Sequence, residues 1–250
     1  VGMLAELGYK GFAVERRVHA SMLLKDHAGS WGAGKGNSGG VCGTGGARLD
    51  RSYEERVQQG LLRLTVTLDT AEQLDLLRYS SLEGTGGYDV VAVHPTSQEA
   101  LDAACKHQSV DLVSLDLGGR LPFTIKPAAA GLVHARGAFF EVRYADALRS
   151  SACAQYFFCN AAALLRACRR RGIIMSSGAQ SAGELRAPHD AASLLHLAGC
   201  KSLELALKFC RENCQKVVER TRLRQLRRQA IRVGPSRADE AAAVGLTKGS

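Results

Sequence analysis

Tyr88-Asp89-Val90-Val91-Ala92-Val93-His94-Pro95 is the stretch on which the fold turns. Four apolar residues follow Asp89 without a break, and His94-Pro95 ends the run. A strand with one face in water alternates polar and apolar residues. A continuous apolar run points to a strand covered on both faces, as in a parallel sheet. On either side lie further strand candidates: LLRLTVTL (61–68) upstream, and DLVSLDL (111–117), AFFEVRY (138–144) and GIIMSS (172–177) downstream. GFAVE (11–15) reads as a short strand and GLVHARG (131–137) as another candidate. Helical patterns separate them. One spans 97–107 with Ser97 as cap. Another spans 154–170 with Phe157, Ala161, Leu164, Leu165 and Cys168 on one face. A third runs from Pro188 to Leu197, and a last begins near Ser202. Residues 1–9 read as a helix end closed near Gly8, and Asp69 or Thr70 as the cap of AEQLDLLRYS. Roughly seven strands alternating with helices imply right-handed βαβ units around a parallel sheet. That pattern fits a (β/α)8-type barrel or an open doubly wound sheet, and periodicity does not separate the two.

The chain has 250 residues and a formal net charge of +9. No apolar run approaches the roughly 18 residues that a membrane span requires, so a soluble protein with no membrane partner is expected. The charge is concentrated. Arg211, Lys216, Arg220, Arg222, Arg224, Arg227, Arg228 and Arg232 face only Glu212 and Glu219 within one stretch. Guanidinium forks suit phosphate oxygens, which points to nucleic acid; a solvated helix or basic tail is the other reading. Arg220, Arg224 and Arg227 share one helical face. A second cluster, Arg166, Arg169, Arg170 and Arg171, closes the helix before GIIMSS, where cations also complement the helix dipole. Neither cluster contains an aromatic residue, so contacts to phosphates and shape are expected rather than base stacking.

The constellations that carry chemistry are weak. Gly29–Lys35 has the spacing of a phosphate-binding loop, but Gly36 stands where Ser or Thr belongs, and residues 29–46 hold nine glycines. This segment reads as a flexible insertion. The seven histidines form neither His-x-His nor His-Glu-x-x-His. Glu15, Asp69, His94, Asp116 and Glu141 fall near strand ends, where a barrel metallohydrolase would place its ligands. A metal-dependent phosphoesterase is therefore the alternative function. Ser176-Ser177-Gly178 lacks the G-x-S-x-G elbow. None of the eight cysteines forms Cys-x-x-Cys; Cys210 and Cys214 share a stripe with Leu203, Leu207 and Val217 and are expected as core thiols.

Taken together, LGYKGFAVE, LLRLTVTL, YDVVAVHP, VDLVSLDL, RLPFTIK, RGAFFEVRY, RRRGIIMSS and ELRAPHDAASLLHLAG resemble the thirty-kilodalton protein subunit of ribonuclease P, in order and spacing. The resemblance covers about residues 1–215. It implies a TIM-barrel-like fold and a non-catalytic subunit, not an enzyme by itself, shared with ribonuclease MRP. It implies as partners the catalytic RNA, other protein subunits and, indirectly, precursor tRNA. No cofactor is implied for the protein, magnesium belonging to the RNA, and the location implied is the nucleus and nucleolus. Relative to the family, the first strand with its acidic motif is absent before Val1, which suggests a trimmed start. The R-G-P-Y-D pattern appears as Arg186-Ala187-Pro188-His189-Asp190. The expected organisation is a barrel domain at 1–215, with the insertion at 29–46, and a basic helix and tail at 216–250. The expected RNA-binding residues are Arg186, Arg220, Arg224, Arg227, Arg228, Arg169 and Arg170, with no catalytic or metal-binding residue.

Overall fold

The computed structural model describes residues 2–9, 11–21, 60–75, 77 and 88–232. After a short helix α1 (Gly2–Glu6) come strands β1 (Ala13–His19), β2 (Leu61–Leu68) and β3 (Val90–Pro95). Then helix α2 (Gln98–Lys106), β4 (Leu112–Ser114), α3 (Pro127–Ala135), β5 (Phe139–Arg143), α4 (Ser151–Ala167) and β6 (Ile173–Ser176) alternate. Three helices follow, α5 (Pro188–Leu197), α6 (Leu203–Cys210) and α7 (Glu212–Arg232). All strands are parallel and their order in the sheet is their order in the chain. A doubly wound sheet reverses direction part-way; this one never does. The glycine-rich insertion 29–46 and its phosphate-loop spacing lie outside the described residues.

The strand starts repeat one device. Asp89 precedes β3 and Asp111 precedes β4. The Asp89 carboxylate accepts from Leu62 N at 2.9 Å while its own N–H donates to Leu62 O at 2.7 Å. Asp111 repeats this with Val91, both contacts at 2.9 Å. Each carboxylate thus supplies an acceptor for the N–H of the neighbouring strand's second residue, where an unpaired buried N–H would be costly.

Helices α2 to α6 contribute Leu101, Val133, Phe157, Leu165, Leu195 and Phe209 to one core with Leu64, Val66, Val91, Val93, Val113, Phe140, Val142 and Met175. Those strand residues alternate with Arg63, Thr65, Ala92, Ser114, Phe139, Glu141 and Ile174, which face the other way and are also buried. Among the described residues no layer of helices covers that second face except at its lower edge, where Val217 of α7 packs on Leu61, Val90, Leu112, Phe139 and Ile174. A sheet with one uncovered face can bury it only by curling around it. The side chains report that curl directly. Arg63 on β2 grips Glu141 on β5 with both amino groups, one at 2.6 Å, although three strand spacings would hold the two residues roughly 14 Å apart in a flat sheet.

Two expectations need correction. GLVHARG (131–137) is not a strand. Pro127 occupies the first turn of α3 and the alanines after it are strong helix formers, so the helix runs through Gly131 to Ala135. The described strands accordingly number six. Neither Asp69 nor Thr70 caps a helix either. A 3-10 turn, Glu72–Leu74, follows them, and Gln73 Oε1 reaches back to accept from Asp69 N at 2.8 Å. Elsewhere Ser97 caps α2, Pro188 opens α5 and Ser202 caps α6, as expected.

Candidate nucleic-acid interface

The inward face is layered. Above the apolar lower layer sit Arg63 and Glu141, with Glu15 bonded to Thr65 Oγ1 at 2.6 Å and 3.4 Å from Arg63. Burial opposes ionisation of Glu141, but the Arg63 guanidinium outweighs it and holds the carboxyl down at about 2. Glu15 is likewise lowered, burial losing to Arg63 and the Thr65 hydroxyl. The Glu141 carboxylate is therefore charged and closed off by its own partner.

At the C-terminal rim, His94 donates from Nδ1 to Ser114 O at 3.0 Å, which leaves Nε2 as the lone-pair nitrogen. Burial depresses its pKa and so favours the neutral ring. Arg143 binds Asp146 at 3.2 Å, and Arg149 binds Asp146 at 2.9 Å and Gly178 O at 3.0 Å. Gly178 has φ 58°, and a Cβ there would stand 2.7 Å from Arg143 Cβ, so the rim loop requires glycine. Asp69 pairs with His19 at 2.7 Å and accepts from Thr96 Oγ1 at 2.6 Å. Among the described residues no three His, Cys, Asp or Glu side chains group as metal ligands.

The expected RNA-contact arginines have contrasting surroundings. Arg220 donates to Asp111, Arg136 O and Gln108 O. Arg224 donates to Asp111, to Ser109 O at 3.3 Å and to Asp89 O at 2.6 Å. Asn213 Nδ2 donates to Ile173 O at 2.6 Å. Helix α7 therefore passes beneath β6, β5, β4 and β3 in turn, fastened at each strand start. The boundary expected at 215/216 falls inside this helix. Arg186 Nη1 turns back to Gly183 O and Leu185 O, both at 2.8 Å, and its backbone is held by the hydroxyls of Tyr9 and Tyr144. Arg169 and Arg170 occupy the turn from α4 into β6 with left-handed backbones, φ 49° and 59°. The side chains of Arg227 and Arg228 lie outside the described part of α7.

Sequence reasoning missed the Arg63–Glu141 pair and Arg136. Opposite charges within the two apolar strand patterns LLRLTVTL and AFFEVRY were the available signal for the pair. Arg136 takes the carbonyls of Ala104, Cys105, His107 and Val110, at 2.6–3.0 Å, where α2 ends. No local pattern announces such a contact. Cys210 and Cys214, expected as core thiols, are half-buried and pack at the edge of the core, 3.8 Å from Met175 Sδ and 3.7 Å from Met175 O. Burial pushes them up to about 11 and about 12.

One curled parallel sheet in chain order, with helices outside and paired charges within, defines a TIM-barrel-like α/β protein. One chain in the cryo-EM structure of archaeal ribonuclease P with mature tRNA shares this fold, at TM-score 0.60 and 15% identity, over 88% of this chain and 85% of that one. The chain belongs to the RNase P subunit p30 family, whose model matches residues 1–226. It is 33% identical to Protein GAMETOPHYTE DEFECTIVE 1 of Arabidopsis thaliana over 68% of this chain and 29% of that protein. It is 34% identical to the mouse ribonuclease P protein subunit p30 over 56% of this chain and 52% of that one. A probable ribonuclease P protein subunit 3 of Schizosaccharomyces pombe is 30% identical over 66% and 68%. The chain thus spans about half or less of the length of the first two relatives.

Proposed function

We propose that this chain is a non-catalytic, RNA-binding subunit of a ribonuclease P particle, and of ribonuclease MRP, acting in removal of the 5′ leader from precursor tRNA. Family membership supports the particle. The non-catalytic role is supported by one observation: the buried carboxylates Glu141 and Asp146 are held by arginines of the same chain. Glu141 is gripped by Arg63, and Asp146 by Arg143 and Arg149. A metal-dependent hydrolase needs such groups free to take an ion and a water. In this reading magnesium sits on the partner RNA, other protein subunits dock on the outer helices, and the eukaryotic relatives favour a nuclear and nucleolar location.

The purified chain, freed of RNA and given magnesium, should not cleave a precursor-tRNA transcript. Turnover abolished by His94→Ala or Glu141→Gln would establish the phosphoesterase alternative instead. Affinity capture of the chain from its own cells should bring down one abundant structured RNA, and recovery of none would refute the subunit reading.

A further inference from the structure

Under the sheet, between the turn entering β5 and the turn entering β6, lies a cleft of about 490 Å³. Its rim carries four cations from three segments: Arg170 and Arg171 on the turn after α4, Lys208 on α6 and Lys216 on α7. Glu212 is the one carboxylate lining it. Among the described residues none of the four cations forms an ion pair, whereas Arg63, Arg143, Arg149, Arg220 and Arg224 all do.

Two observations point to an anionic ligand. The Nε of Arg170 is buried with no hydrogen-bond partner, as are those of Arg143 and Arg224, but those two arginines hold carboxylates with their Nη atoms and Arg170 has no ion pair among the described residues. Arg169 and Arg170 also hold left-handed backbones, which cost a residue with a Cβ roughly 1–2 kcal/mol each. A turn serving only to end α4 would be met more easily by glycine, as at Gly172 beside it (φ 63°). Strain held at arginines is a reason to look for what their side chains bind.

We infer that this cleft is a seat for consecutive phosphates of an RNA backbone. This rests on the ribonucleoprotein reading above and assigns it a surface. Cations spread over the mouth of the cleft suit a chain of phosphates better than one small anion, and arginine forks match phosphate oxygens. The floor offers no ring face for base stacking, Phe139 and Phe209 being 8% and 2% exposed, and the exposed His134 is the one aromatic ring on the wall. The contact is therefore mainly to the backbone and independent of sequence.

The test uses the full chain and a transcript of the particle's own RNA from the same organism, titrated from low salt to 150 mM. R171A/K208A/K216A should weaken binding at least about tenfold at 150 mM and lower the log–log salt slope by about 2 to 3, since each lost phosphate contact removes roughly 0.7 to 0.9. Its melting temperature should match that of the wild type. Arg170→Gly, which suits the left-handed backbone, should weaken binding without loss of folding. Unchanged affinity and slope in both variants, with the wild type still binding, overturn the cleft and leave the subunit reading intact. A wild-type chain that binds no RNA and enters no particle overturns both. A variant that keeps its RNA affinity but loses a protein subunit of the particle makes the cleft a protein-docking site and also refutes the proposal.

Discussion

Helix α7 and the cleft beside it are built from the same kind of residue to different ends. Arg220 and Arg224 on α7 point at the strand starts, where Asp111 and four backbone carbonyls receive them. Lys216, one turn earlier on the same helix, points into a cleft with Arg170, Arg171 and Lys208 and has no ion-pair partner among the described residues. Net charge treats all of them alike. What separates them is the acceptor side. Parallel strands begin beneath the sheet with Asp89 and Asp111, whose carboxylates are already tied to the ladder, and cations that meet them act as fasteners. The turns entering β5 and β6 carry glycine and arginine where β3 and β4 carry aspartate, so Arg170, Arg171, Lys208 and Lys216 find no strand-start carboxylate there to pair with. A basic stretch therefore yields staples or leaves cations without an ion pair according to the strand starts above it.

The strongest way to break this comparison is to unpair a fastened charge. Glu141→Gln takes from the buried Arg63 guanidinium its bidentate counter-ion, leaving only Glu15 at 3.4 Å, and should cost about 3–5 kcal/mol in urea unfolding. Replacing both residues with apolar ones of similar volume should recover much of that loss. The pair also sets a pH dependence. The Glu141 carboxyl lies near 2 in the folded chain, below its ordinary value. Its contribution is thus complete above about pH 4.5 and lost as pH falls through the folded value. The acid limb of the stability curve should flatten in the double variant; an unchanged limb would show that other carboxylates dominate it.

Next in size is the staple on α7. Arg224→Ala leaves Asp111, 1% exposed, with one ion-pair partner fewer and uncovers the carbonyls of Ser109 and Asp89. The expected cost is about 2–3 kcal/mol. Hydrogen exchange should localise it, with protection falling in α7 and at the starts of β3 and β4 while α4 is unchanged. Uniform loss of protection would mean that the helix folds with the rest of the sheet as one unit. Arg136→Ala should behave similarly at the end of α2, at about 1–2 kcal/mol.

The fold was legible because a covered parallel strand leaves a local signature: YDVVAVHP and GIIMSS hold unbroken apolar runs, VDLVSLDL is rich in Leu and Val, and each contains a strand. GLVHARG was misread because a short apolar run carries no period of its own, and Pro127, which fixes the helix start, lies four residues before it. The interface was less legible. Periodicity placed Arg220 and Arg224 on one helical face, but not that Asp111 lies opposite, more than a hundred residues away. Lys208 and Lys216 carry no motif. They meet Arg170 and Arg171 only because α6 and α7 pack against β6.

The smallest effect on stability should come from the unfastened cations, and it sharpens the comparison most. Lys208 and Lys216 are exposed on helices and take part in no described ion pair, so alanine at either should change stability by no more than about 0.5 kcal/mol. Arg171→Ala should do likewise. If the three replacements are as mild as this and RNA affinity still falls, the two functions of the basic residues are separable, with stability residing in Arg220 and Arg224 and binding in the cleft. If alanine at Lys208 or Lys216 costs as much as at Arg224, the cleft cations are fasteners too, and the difference in acceptors beneath the sheet does not divide the two groups. Thermal melts of the single variants, read beside salt-dependent binding isotherms on the same preparations, decide between these outcomes.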